Sequence, residues 1–368
     1  MMKKFGLTVA AAAFAATMTG AAFAQDITIG VAGPFTGPNA SFGEQLKRGA
    51  EMAVKNINAA GGVLGRQLKI DFGDDASDPK QGVAVANQFA TKKVPFVLGH
   101  FNSSVSIPAS DVYGEEGIIQ ITPASTNPAL TDKAKFGNVF RVCGRDDQQG
   151  TVAGQYLAKN YAGKKVAVIH DKTSYGKGLA DETKKAMNAA GLTEVVYEGV
   201  TTGDKDFSAL VSKMKSAGVD AIYFGGLHNE AGLLVRQSRD QGLKAAFLSG
   251  DGIVSKEFWS ITGAAGEGVL MTFDPDPRKF PTAAKVVDQF KATGYDPEGY
   301  TLLSYSAVEV WAQAANLAKS LKMADVKKVM HATKFQTVIG EVAYDAKGDL
   351  TVSKYVWYIW KNGDYSEM

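Results

Sequence analysis

Apolar residues along this chain fall into short runs and helical faces, and the two alternate. Ile27, Ile29 and Val31 open a strand that Gly33-Pro34 closes. Leu46, Ala50, Ala53 and Ile57 share one face of a helix that Gly61-Gly62 ends. Leu68 to Phe72 reads as the next strand. Asp78-Pro79 opens a second helix, with Asp78 as N-cap and Pro79 at the first helical position. Further apolar runs follow at Val94 to Leu98 and at Ile118 to Ile121. Each crossover is long enough for a right-handed βαβ unit, so a parallel sheet is expected.

A second series repeats the first. Val166 to Ile169 is a continuous apolar run, as a strand covered on both faces should be. Val195 to Tyr197, Ala221 to Phe224 and Ala246 to Leu248 read as strands. Between them fall a helix from about Gly178 to Gly191, the helical face Phe207, Leu210, Val211 and Met214, and a helix from Glu230 to Gln241. Ser41-Phe42-Gly43 with Leu46 matches Ser174-Tyr175-Gly176 with Leu179, and Asn58-Ala59-Ala60-Gly61 matches Asn188-Ala189-Ala190-Gly191. Such landmarks in a shared order favour duplication over chance. Equivalent loops are then 35–42 with 171–175, 100–104 with 227–230, and 122–127 with 249–253. Two lobes with these edges facing each other would enclose a ligand.

The tail departs from this rhythm. Asp274-Pro275-Asp276-Pro277 is a Pro-rich crossing. Helices are expected around Thr282 to Ala292, Leu302 to Ala318 and Asp325 to His331, and late strands at Gly340 to Tyr344 and Tyr355 to Trp360. The late aromatics read as core and edge packing.

The stretch Gly99 to Asn127 carries the candidate chemistry. Two apolar runs each end in a small polar loop, and in a parallel sheet both loops emerge at the carboxyl edge, where open α/β sheets bind ligands. Hydroxyls, backbone amides and a helix N-terminus suit a carboxylate. No P-loop, G-x-S-x-G elbow or metal spacing of histidines occurs in the sequence. His100, His170 and His228 sit at or just after strand ends, and surface or supporting roles are expected of them. The acidic cluster Asp71, Asp74, Asp75 and Asp78 lacks EF-hand spacing and reads as turns and caps. A secreted amide hydrolase is set aside, because no activated nucleophile stands beside a base.

Composition adds compartment and partners. In the 368 residues, Lys3 and Lys4 precede an apolar stretch, Leu7 to Met18, and Ala22-Phe23-Ala24 is an A-x-A site. This is a secretory signal peptide over residues 1–24, with cleavage after Ala24. No stretch approaches 18 uninterrupted apolar residues, so no direct membrane insertion is expected. Without Lys3 and Lys4, 38 Lys+Arg face 38 Asp+Glu, which suggests no nucleic-acid partner. Cys143 is the only cysteine, so no internal disulfide forms, and a buried inert thiol is expected.

Seven pieces in order carry a family resemblance. They are Gly33-Pro34 through Gly37-Pro38, Asp74 to Asn87, Gly99-His100 with Ser103-Ser104, Thr126-Asn127-Pro128, His170-Asp171-Lys172 with Tyr175-Gly176, Lys205 to Leu210, and Val338-Ile339-Gly340 with Lys347 to Leu350. The chain resembles a type I periplasmic solute-binding protein of the leucine/isoleucine/valine (branched-chain amino acid) group that serves ABC importers. The resemblance implies an α/β fold of two αβα lobes with mostly parallel central sheets, hinged by three crossovers. Lobe I would be residues 25–145 plus 274–351, and lobe II 146–273 plus 352–368. It implies no cofactor, no metal and no enzymatic activity. The implied partners are a small amino acid and a membrane permease, the implied location the periplasm, and the expected state a monomer. A sensory or amide-binding receptor of the same fold stays open.

Family contacts carry over residue by residue. The Phe101 backbone, the Ser103 hydroxyl and amide, and Thr126 match carboxylate-binding positions. Ala124 matches a carbonyl that takes the ammonium, and Asp251 an acid, often Glu, against it. Tyr175 and Phe42 match lid positions and Tyr300 a pocket wall. Leu227 stands where relatives often have Tyr, and Phe101 where a smaller aliphatic is common. Ser77 and Asn102 replace a cysteine pair. The implied ligand is a small zwitterionic amino acid of the Leu/Ile/Val type, with the larger wall and shorter acid also pointing to a smaller or linear one such as alanine, proline or γ-aminobutyrate.

Overall fold

The structure, a computed structural model, describes residues 25–368. The signal peptide read over residues 1–24 lies outside the described residues. Five strands form the first sheet: β1 (Ile27–Gly33), β2 (Leu68–Asp74), β3 (Phe96–Leu98), β4 (Ile119–Thr122) and β5 (Val139–Arg141). Their order is β2-β1-β3-β4-β5 and every pairing is parallel. The second series supplies β6 (Val166–His170), β7 (Val196–Gly199), β8 (Ala221–Gly225), β9 (Ala246–Ser249) and β10 (Leu270–Phe273). They lie in the order β7-β6-β8-β9-β10, which reproduces the first sheet strand for strand. Two sequence-derived landmarks therefore sit on topologically equivalent helices.

A small antiparallel hairpin, β11 (Phe335–Thr337) and β12 (Gly340–Val342), belongs to neither sheet. β13 (Val356–Lys361) and β14 (Asp364–Glu367) extend the second sheet antiparallel beyond β10. The chain thus passes between the two halves after β5, after β10 and before β13. The expected strands at 94–98, 118–121, 166–169 and 221–224 are all present within a residue or two. β5, β10, β11 and β14 were not read as separate strands. They have only three or four residues each, too few for a periodicity to show. The strand expected at Gly340 to Tyr344 stops at Val342, and Tyr344 makes an isolated bridge to Leu350.

Both sheets are covered by helices, and most of their strands are buried on both faces. In the first half, helix Ala40–Ala59 packs on helix Thr301–Ala318, whose Trp311 stacks on Phe96 at 4.9 Å. The late aromatics Tyr358 and Trp360 are core residues of the second half. Among the described residues no helix is long and apolar enough to cross a membrane.

Helices Asp146–Asn160 and Ser174–Ala189 make the closest helix pair of the second half, and two glycines allow it. A Cβ at Gly150 would lie 2.6 Å from Glu182 Cβ, and one at Gly154 2.5 Å from the Thr183 carbonyl oxygen. Because backbone rather than a flexible side chain blocks the space, Gly154→Ala should destabilise the fold by about 1–3 kcal/mol despite alanine's better helix propensity. Urea unfolding measures this, and an unchanged midpoint would mean that the two helices can separate freely.

Candidate functional site

The strand order explains where a site can form. In an order 2-1-3-4-5 the chain reverses direction between β1 and β3, leaving a crevice at their carboxyl ends. The first half has this crevice between β1 and β3, the second between β6 and β8. The loops after β3 and β4 supply Phe101, Asn102, Ser103 and Ala124 to one cavity, and those after β6, β8 and β9 supply Tyr175, Leu227, Asp251 and Gly252. Tyr300, just before helix Thr301–Ala318, completes the wall. About 230 Å³ of the cavity is unfilled by protein atoms, the open solvent at its mouth included.

One wall is aromatic. Phe101 stacks on Phe42 at 4.4 Å and meets the edge of Tyr300 at 5.2 Å. Phe42 is fully buried and does not line the cavity, so it backs Phe101 rather than acting as the lid expected of it. Next to this wall, Ser103 begins helix Ser103–Glu115. Its hydroxyl oxygen accepts from the Asn127 amide at 3.2 Å, which leaves the hydroxyl hydrogen free to donate. Thr126 is fully buried and is not among the lining residues; its carbonyl accepts from the Asp146 amide at 2.9 Å.

Two buried polar networks hold these loops. His100 is fully buried with Nδ1 2.7 Å from Asp75 Oδ2 and Nε2 2.9 Å from the Tyr113 hydroxyl. Its carbonyl accepts from the Thr122 hydroxyl at 2.8 Å and the Ser125 hydroxyl at 3.1 Å, tying the two site loops together. Asp75 was read as part of a turn. It does accept from the Ser77 amide at 2.9 Å, but its other oxygen is the histidine's partner. The second network centres on Arg141 at the end of β5. Its Nε donates to Asp349 Oδ1 at 2.7 Å, its Nη2 to the Asn127 carbonyl at 2.9 Å, and its Nη1 to the Ser125 carbonyl. Burial alone would raise the Asp349 carboxyl, but the guanidiniums of Arg141 and Arg145 outweigh it and hold the group below its ordinary value.

Across the cavity the charge is uncompensated. Asp251 Oδ1 accepts from the Tyr175 hydroxyl at 2.7 Å and Oδ2 from the Tyr300 hydroxyl at 2.9 Å. The Gly252 amide donates to the Tyr175 oxygen at 2.8 Å, fixing the phenol. Asp251 is only 2% exposed, and no cation is among its hydrogen-bond partners. Burial pushes its carboxyl up, against the opposing pull of the two phenol hydrogen bonds. Nearby Asp146 is fully buried, and burial followed by the Asp251 charge pushes its carboxyl well up, against the opposing pull of the Thr126 hydroxyl and the Arg141 charge.

Of the residues expected at the site, Phe101, Ser103, Ala124, Tyr175, Leu227, Asp251 and Tyr300 line this one cavity. Phe42 and Thr126 are buried and do not line it. Asn102 and Gly252 were missed, although each adjoins an expected residue in sequence. Asp146 was missed as well, and its place just after the first passage was the available signal. Cys143 is buried, and burial pushes its thiol well up, as an inert thiol requires. Among the described residues no group of three or more His, Cys, Asp or Glu could hold a metal ion.

Two doubly wound halves, joined by three passages and closing on one small polar-ended cavity, define a two-lobed solute receptor. The chain belongs to the periplasmic binding protein family, which matches residues 26–364. That membership implies a periplasmic location and a solute-binding rather than an enzymatic role. The chain is 56% identical over 339 residues to Leu/Ile/Val-binding protein homolog 1 of Brucella suis, covering 92% of this chain and 91% of the relative. It is 52% identical over 347 residues to an amino acid binding protein of Pseudomonas aeruginosa, covering 93% and 92%. Among solved structures, the leucine binding protein LivK of Thermotoga maritima superposes with a TM-score of 0.86 at 29% identity, covering 93% of this chain and 97% of that one. LivJ of Streptococcus pneumoniae, solved with isoleucine, gives 0.85 at 27% identity, covering 93% and 99%.

The Asp251 environment predicts a pH-dependent stability. An acid with a raised folded pKa binds its proton more tightly in the folded state. Its destabilising effect is absent below the ordinary value of 3.8 and grows as pH rises through the folded pKa. Asp251→Asn should therefore raise the unfolding midpoint of the ligand-free protein at neutral pH, with the gain vanishing toward about pH 4. Thermal unfolding across that range tests it, and a neutral or lower midpoint at pH 7 would show that Asp251 is compensated.

Proposed function

We propose that this chain is the amino-acid receptor of an ABC import system, with lobes 25–145 plus 274–351 and 146–273 plus 352–368 closing on a small zwitterion and delivering it to a membrane permease. The observation that carries the reading is the cavity's polarity. At one end Asp251 is buried without a counter-ion, and at the other the Ser103 hydroxyl and the start of helix Ser103–Glu115 offer donors. A zwitterion removed from water needs both charges paired, and these two ends supply a carboxylate for its ammonium and donors for its carboxylate. The Thr126 hydroxyl and the Ala124 carbonyl are assigned to the same ligand ends. The printed names of the relatives, for leucine, isoleucine and valine or for amino acids in general, support the ligand class.

The ligand is of the Leu/Ile/Val type that the relatives' names support, or a smaller or more linear amino acid, alanine, proline or γ-aminobutyrate, toward which two residues of this cavity point. Phe101, braced by Phe42 and Tyr300, fills space that a branched side chain would need. Asp251, one methylene shorter than Glu, leaves room for an ammonium farther from its carboxylate.

A thermal-shift screen over amino acids tests this reading, since a ligand that binds only the folded state raises the midpoint. Alanine, proline or γ-aminobutyrate should shift it more than leucine, and a shift with leucine alone would overturn the narrowed site. Asp251→Ala should weaken the bound amino acid by roughly 3–5 kcal/mol, because its ammonium would be buried unpaired. Unchanged affinity by calorimetry would remove Asp251 from the site.

A further inference from the structure

Among the side chains outside the cavity that bridge the two halves are two asparagines. Asn127 ends the loop after β4 in the first half, and its Nδ2 donates to the Ser174 carbonyl at 2.6 Å. Ser174 begins helix Ser174–Ala189 of the second half, one residue before Tyr175. In return, Asn229, in the first turn of helix His228–Asp240 of the second half, donates through Nδ2 to the Pro38 carbonyl at 2.7 Å. Pro38 lies in the loop that leads into helix Ala40–Ala59 of the first half. Each half therefore reaches with one primary amide to the start of the other's helix, and neither amide lines the cavity.

The first of these contacts is shaped on both sides. Asn127 Oδ1 accepts from the Ala129 amide at 2.8 Å, and its carbonyl accepts from Arg141 Nη2 at 2.9 Å, so its orientation is set within the first half. On the receiving side Gly178 leaves the room, since a Cβ there would lie 2.5 Å from Asn127 Nδ2. Neither bond survives separation of the lobes, and neither asparagine side chain lines the cavity.

We propose that Asn127 and Asn229 are closed-state latches: they set how tightly the protein holds any ligand, without taking part in choosing it. This rests on the two-lobed receptor reading, because a latch matters only if the lobes open and close. A rim hydrogen bond of this kind changes the closed-state population about two- to tenfold. Pocket residues change the ranking of ligands, whereas latches scale all affinities together.

The test compares wild type with Asn127→Asp, which keeps the Ala129 cap but replaces the donor with a charge facing a carbonyl. It adds Asn229→Ala and Gly178→Ala. Calorimetry with alanine and with leucine should show each variant binding both about two- to tenfold more weakly, with their ratio unchanged. Gly178→Ala should do so without lowering the unfolding midpoint, since alanine favours the helix. In small-angle scattering the ligand-free Asn127→Asp/Asn229→Ala double variant should be more extended than ligand-free wild type. Unchanged affinities, or an altered ratio, would overturn the proposal. If neither amino acid binds wild type, the proposed ligand class fails. The scattering comparison then still judges the latches, and an unchanged radius of gyration would sink them.

Discussion

The structure depends on one carboxylate that has been taken out of water without a positive partner. Asp251 is held between the phenols of Tyr175 and Tyr300, one from each half, so its two oxygens already join the lobes. Neutral donors lower the cost of burying a charge but do not cancel it. On the proposed reading the missing partner is the ligand's ammonium, and the lobes come together fully compensated only around it. Stability is given up at this point, as functional sites commonly require.

That arrangement works only if the groups facing Asp251 do not move to meet it. The first half achieves this with buried polar contacts that are satisfied internally. His100 with Asp75 fixes the loop of Phe101 and Ser103, and Arg141 with Asp349 fixes the loop of Ala124 and Thr126. Both pairs are buried, where removing one member costs more than the pair gains. Asp349 belongs to the segment leading into the third passage, so Arg141 also links the site loop to the hinge side. Satisfied contacts inside one lobe and unpaired charge at the gap are thus complementary parts of one design.

Much of this was legible from residues alone. Strands buried on both faces announce themselves as unbroken apolar runs, and the repeated Ser-aromatic-Gly landmark located two equivalent helices. The identical strand orders agree with that repeat. What stayed hidden depends on long-range contact. Arg141 and Asp349 meet across 208 residues, and no local pattern announces such a pair. Asp75 looked like one more turn acid because three neighbours of the same type surround it, and its histidine partner comes from another strand. β5 and β10 are brief because each ends where the chain leaves one half for the other. Phe42, matched to a lid position by the family resemblance, is fully buried and stacked on Phe101, a contact that no local pattern shows.

The aromatic wall shows why a single residue does not define this cavity. Phe101 is stacked on a wholly buried Phe42 and edged by Tyr300, and Tyr300 in turn meets Phe273 at 5.3 Å and Asp251 through its hydroxyl. Rotating Phe101 away would break the stack and press on the same phenol that supports the carboxylate. On the proposed reading, the wall that limits ligand size is therefore tied through Tyr300 to the group that holds ligand charge. A pocket distinguishes one methylene by about 1–3 kcal/mol only if its wall does not yield. Here yielding would also cost part of the support for a buried acid. On the proposed reading, selection by size and capture by charge are then one property of the Phe42–Phe101–Tyr300–Asp251 chain of contacts, not two separate functions of the site.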